Sequence, residues 1–95
     1  MRKGITSNGF AFEFDERRAD DMRFVDLIVS MSGDDVSVFD KLAASSKMIE
    51  MLLGKEQKAA LFDFIGQSYD GRVPFLEVEI ALKDIMNSGG NSLKN

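Results

Sequence analysis

Leu52-Leu53-Gly54-Lys55-Glu56-Gln57 and, further on, Asp70-Gly71-Arg72-Val73-Pro74 decide how this chain folds. Gly54 interrupts an apolar pattern of helical period, and the Lys55-Glu56-Gln57 run opens another. Asp70-Gly71, a helix-breaking pair, ends that second pattern. Pro74 opens a third, since its missing N–H would be unpaired in a first helical turn anyway. Two tight breaks therefore predict three helices folded against one another, to which the N-terminal part adds further layers.

Within this unit the spacing predicts helices over about 36–53, 55–68 and from 74 onward. In the first, Phe39, Leu42, Ile49, Leu52 and Leu53 face inward, Met48 and Met51 widen the stripe, and Ala43–Ser46 form a waist of small residues. In the second, Ala60, Leu61, Phe64 and Ile65 face inward. In the third, Phe75, Val78, Leu82 and Ile85 follow helical spacing, flanked by Leu76, Ile80 and Met86. From Asn87 to Asn95 glycine and asparagine dominate and one leucine remains, so 87–95 reads as a flexible tail.

Upstream, residues 3–14 predict a β-hairpin. Asn8-Gly9 is a strong turn signal because both residues tolerate positive φ, and Phe10, Phe12 and Phe14 alternate with Ala11 and Glu13 after it. A two-stranded hairpin is marginal alone, so its aromatic face must lie on the helices. Asp20 is the expected N-cap of another helix over about 21–32, with Gly33 as its C-cap. This helix carries two apolar stripes: Phe24, Leu27, Ile28 and Met31, and beside them Met22, Val25 and Val29. Either it sits centrally in the bundle or its second stripe meets another chain. The fold class expected is mainly α: about four helices in a compact bundle with a small N-terminal hairpin, residues 1–86 forming one domain.

Composition narrows the chemistry. Of 95 residues 44% are hydrophobic and 29% charged, which suits a globular chain and is too apolar for disorder. With no cysteine and no histidine the chain lacks thiolate and imidazole metal ligands, disulfides, and the commonest general base. A reducing cytoplasm is the expected setting: no apolar run approaches the roughly 18 residues that span a bilayer, and the N-terminus lacks a signal-like apolar core. The net charge of −4 opposes nucleic-acid binding, and Lys41, Lys47, Lys55 and Lys58 are interleaved with Asp40, Glu50 and Glu56.

Sites that chemistry could use are weak. Residues 66–77 place Gly71 where a calcium loop turns, but Gly66 stands at the first ligand position and Pro74 at the ninth. The pairs Asp20/Asp21, Asp34/Asp35 and Glu77/Glu79 fall at helix starts or on an outer face, where capping and solvation explain them. Ser45-Ser46 has no histidine to activate it. No catalytic, cofactor or metal residue is therefore assigned. Six methionines and eight phenylalanines are instead a rich supply of adaptable apolar groups. Met22, Val25, Val29, Met48 and Met51 are the candidate surface for a partner or for self-association.

One family shares this order of features. The chain resembles the small tail assembly chaperones of long, non-contractile-tailed bacteriophages and prophages of Gram-positive bacteria. The resemblance runs through Asn8-Gly9-Phe10-Ala11-Phe12-Glu13-Phe14-Asp15-Glu16, then Asp20-Asp21-Met22, Leu52-Leu53-Gly54-Lys55-Glu56-Gln57 and Asp70-Gly71-Arg72-Val73-Pro74. It covers nearly the whole chain and is thinnest over residues 34–50. It implies a non-catalytic protein, without cofactor, that binds the tape-measure protein before the tail polymerises. It also implies recruitment of the major tail protein, in many relatives through a longer frameshifted form, as well as homo-oligomers, a cytoplasmic site of action, and absence from the finished virion. The rival expectation is a small cytosolic helical DNA-binding or regulatory protein. That would need a basic recognition helix, for which Lys55 and Lys58 are a thin basis.

Overall fold

The structure, a computed structural model, describes residues 1–94, and side-chain surroundings for residues 1–88. It is mainly helical with a two-stranded antiparallel hairpin at the N-terminus. The strands are β1 (Arg2–Ile5) and β2 (Ala11–Phe14), and the helices are α1 (Met22–Met31), α2 (Val38–Gly66) and α3 (Phe75–Lys94). A single 3-10 turn, Glu16–Arg18, links β2 to α1.

Three helices stand where about four were expected, because the helical hydrogen-bond pattern runs across the predicted break at Gly54. The break is nonetheless present in the backbone: Gly54 has φ 84° and ψ 166°, outside the helical region. The residues before and after it therefore wrap the core as two arms of one element. α2 ends at Gly66; Asp70 (φ 60°) and Gly71 (φ 88°) turn the chain, and the Gly71 N–H donates to the Gly66 carbonyl at 2.8 Å. Pro74 stands just outside α3, its carbonyl accepting from the Glu77 and Val78 amides. The expected tail begins as helix, since α3 continues through Asn87 and Ser88 to Lys94. Side-chain surroundings from residue 89, and Asn95 altogether, lie outside the described residues.

The hairpin pairs Arg2 with Phe14 and Gly4 with Phe12. Its turn differs from the expectation: Gly9 alone takes positive φ (101°), in a loop where the Thr6 N–H donates to the Phe10 carbonyl and the Gly9 N–H to the Thr6 carbonyl. One left-handed residue after an ordinary turn closes a three-residue loop. Gly4 makes room for an aromatic ring, since a Cβ there would stand 2.8 Å from Phe12 Cζ. Phe12 and Phe14 are buried, whereas Phe10 is half-buried against Phe64 with ring centroids 5.7 Å apart.

The core lies where the hairpin's aromatic face meets both arms of α2 and the inner face of α3. Ile49, Leu52, Leu61 and Ile85 are its largest fully enclosed members. Each such side chain contributes about 1.5–3 kcal/mol through removal from water. α1 contributes one buried residue, Phe24, and so lies at the edge rather than the centre of the bundle. Its caps shift from the expected ones. Asp21, not Asp20, accepts from the Arg23 N–H at 2.9 Å, and Ser32, not Gly33, ends the helix in right-handed backbone.

Candidate partner-binding surface

The break in α2 frees backbone carbonyls that need donors. Arg18 Nη1 donates to the Leu52 carbonyl at 3.3 Å, and Gln57 Nε2 to the Leu53 carbonyl at 2.8 Å. The same Gln57 amide faces the open edge of β2. Its Nε2 donates to the Glu13 carbonyl at 2.6 Å, and its Oε1 accepts from the Glu13 N–H at 3.0 Å. One side-chain amide thus does at Glu13 what a third strand would do. On the far side the Ser7 N–H and hydroxyl both donate to Asp84 Oδ2 at 2.7 Å, fastening the hairpin turn to α3. Near the start of α3 the Tyr69 hydroxyl donates to Glu77 Oε1 at 2.6 Å. That hydrogen bond to a carboxylate raises the pKa of the phenol above its ordinary value. A groove lies open between α2 and α3.

The groove has a volume of about 360 Å³ and is lined by Leu42 and Ser46 of α2, Phe62 of its second arm, Val73 of the loop, and Phe75 and Val78 of α3. Ser46 lies in the predicted small-residue waist, and here the waist helps leave open space. Phe39 precedes Leu42 by three residues and Ser46 by seven and so shares their face of α2. Its ring is 82% exposed. The spacing had placed Phe39 inward. It stands instead in the first turn of α2, one turn before the part of the helix that other elements cover.

The five residues singled out from sequence separate into two groups. Met22 (70% exposed), Val25 (38%) and Val29 (65%) do form an open strip along α1. Met48 does not belong to that surface: it is 2% exposed, inside the core cluster that also holds Phe12, Phe24 and Ile85. Met51 is half-buried and packs against the same core. The second stripe of α1 is therefore open, while the methionines of α2 serve packing.

Further apolar side chains reach solvent on the outer face of α3, where Leu76 (68% exposed) and Ile80 stand one turn apart. A separate hollow over the outside of the hairpin lies between Lys3, Ile5, Ala11 and Glu13, with Gln57 at its margin. Lys3 and Glu13 approach to 3.9 Å across it. Among the described residues no group of three or more acidic side chains is placed to hold a metal ion, and no helix is long and apolar enough to cross a membrane. Asp15 caps the 3-10 turn and pairs with Arg17 at 2.6 Å; these bonds hold its carboxyl pKa down at about 2. Searches against protein-family models, curated proteins and solved structures return no match to this chain.

Proposed function

We propose that this chain is a tail assembly chaperone. It binds the tape-measure protein of a long, non-contractile bacteriophage tail without catalysing a reaction, and favours addition of major tail protein around it. In this reading it works in the host cytoplasm and leaves before the particle is finished. The observation that carries the reading is the open apolar groove between α2 and α3, with Phe39 exposed on the face of α2 that also carries Leu42 and Ser46. A tape measure is a long helix whose apolar seam aggregates when uncovered. A groove of this kind accepts the apolar face of such a helix, with an aromatic anchor at one end. Many modest contacts along one long client give retention through avidity and still allow release.

The test is co-expression with a tape-measure protein of a long, non-contractile bacteriophage tail. The wild-type chain should co-purify with it and keep it soluble. Phe39→Asp should lower the recovered client about tenfold, a loss of roughly 1.4 kcal/mol, without changing the helical circular dichroism of the chaperone. Failure of the wild-type chain to retain the client would reject the function, and full retention by Phe39→Asp would reject the groove as the site.

A further inference from the structure

The groove between α2 and α3 adjoins a second hollow. Phe62 and Val73 line both, and the second, of about 500 Å³, opens around the end of α2 and the turn that follows. Where the groove is apolar, this hollow is bordered by Asp63 of the last turn of α2 and by Asp70 of the chain turn. Both carboxylates are exposed, and among the described residues neither has an ion-pair partner within the chain. Arg72, two residues beyond Asp70, pairs with neither.

The chain alone gains nothing from these two charges. The C-terminal end of a helix carries partial negative charge, which nearby cations offset and nearby anions oppose. α2 has no basic side chain in its last turn. Asp63 stands there instead, and the bond from the Gly71 N–H to the Gly66 carbonyl at 2.8 Å keeps Asp70 beside the same end. Nor does the turn need a carboxylate: Asp70 takes φ 60°, which asparagine adopts as well. Two anions at a negative helix end break a local rule with no compensation inside the chain, and such departures gather at functional sites.

We infer that groove and hollow form one composite site whose occupant is an amphipathic helix with lysine or arginine along the border of its apolar seam. The seam lies against Phe62, Phe75 and Val78, and a basic side chain reaches past Val73 to Asp63 and Asp70. Lysine and arginine suit that step, because their aliphatic stems cover apolar surface while the charged head extends beyond it. Charge complementarity selects this occupant over a seam bordered by acidic residues, which would set like charges together at the hollow. Exposed ion pairs are individually weak, so the two carboxylates together favour a basic border by about tenfold. The inference rests on the groove being the client site, and adds which seams it accepts.

Titration of the full chain with two synthetic helical peptides of about 20 residues tests it. Both carry the same leucine seam; one has lysine along its border and the other glutamate. By fluorescence anisotropy the lysine peptide should bind about tenfold more tightly at low salt, and the preference should shrink at about 0.5 M salt. Asp63→Asn with Asp70→Asn should reduce the preference to within about threefold, with the unfolding temperature unchanged or higher. Asp34→Asn with Asp35→Asn makes the same change of net charge at exposed residues that line neither hollow, and should keep the preference. Equal binding of the two peptides by the wild-type chain would overturn the composite site and leave the groove standing. So would a preference that survives Asp63→Asn with Asp70→Asn, or one lost equally in Asp34→Asn with Asp35→Asn. A lower unfolding temperature for Asp63→Asn with Asp70→Asn would show that the carboxylates serve the fold, and would overturn it likewise. Binding of neither peptide, whether the chain is a monomer or a second copy fills the groove, would overturn the client reading as well.

Discussion

Gly54 shows how one residue sets the path of the chain. Its φ of 84° with ψ of 166° belongs to a region that only glycine occupies freely. A Cβ there would find Arg18 Nη1 at 3.4 Å, an ordinary contact, so the constraint is backbone conformation rather than space. Gly54→Ala should therefore cost about 1–3 kcal/mol in urea unfolding. A loss below about 0.5 kcal/mol would mean the two arms of α2 can rejoin without glycine. Gly71 is comparable: φ is 88° and no atom lies within 4 Å of its would-be Cβ.

At the scale of an element, α1 has two faces with opposite roles. Its ten residues are too few to hold a helix alone in water. Phe24, 4% exposed, is its one buried residue, and Leu27, Ile28 and Met31 pack against the same core. Phe24→Ala should destabilise the protein by about 3–5 kcal/mol. Val29→Asp, on the open side of the same helix, should change the stability of the single chain by no more than about 0.5 kcal/mol. Thermal and urea unfolding at low protein concentration separate the two, and a large loss for Val29→Asp would show that the strip is covered within the monomer. The same two-sidedness divides α2, where Met48 faces the core and Phe39 faces solvent.

Across the whole molecule, a few side chains join segments far apart in sequence. Gln57 is the most connected, spanning the Leu53 carbonyl at the helix break and both backbone groups of Glu13 in β2. Gln57→Ala leaves three backbone groups to water and should cost about 1–2 kcal/mol. Amide exchange at Glu13 should accelerate, since its N–H loses its acceptor. Unchanged exchange would show that the packing of Phe12 and Phe14 alone holds the strand. Ser7 with Asp84, and Tyr69 with Glu77, act similarly two turns apart along α3. None of these partnerships follows a spacing rule, so none was legible beforehand.

By itself the sequence determined the punctuation and the class of fold: a hairpin around Gly9, breaks at Gly54 and Asp70-Gly71, helices between them, and a second apolar stripe on α1. Those features are local, governed by backbone preferences of glycine and proline and by periodicity over a few turns. Only the tertiary structure decided which apolar side chains the core encloses. Met48 and Phe39 sit in one helix; Phe39 reads as inward-facing and Met48 as part of a partner surface, yet Met48 is enclosed and Phe39 stands in water. Periodicity tells which residues share a face; burial depends on what lies opposite that face, and distant parts of the chain supply it.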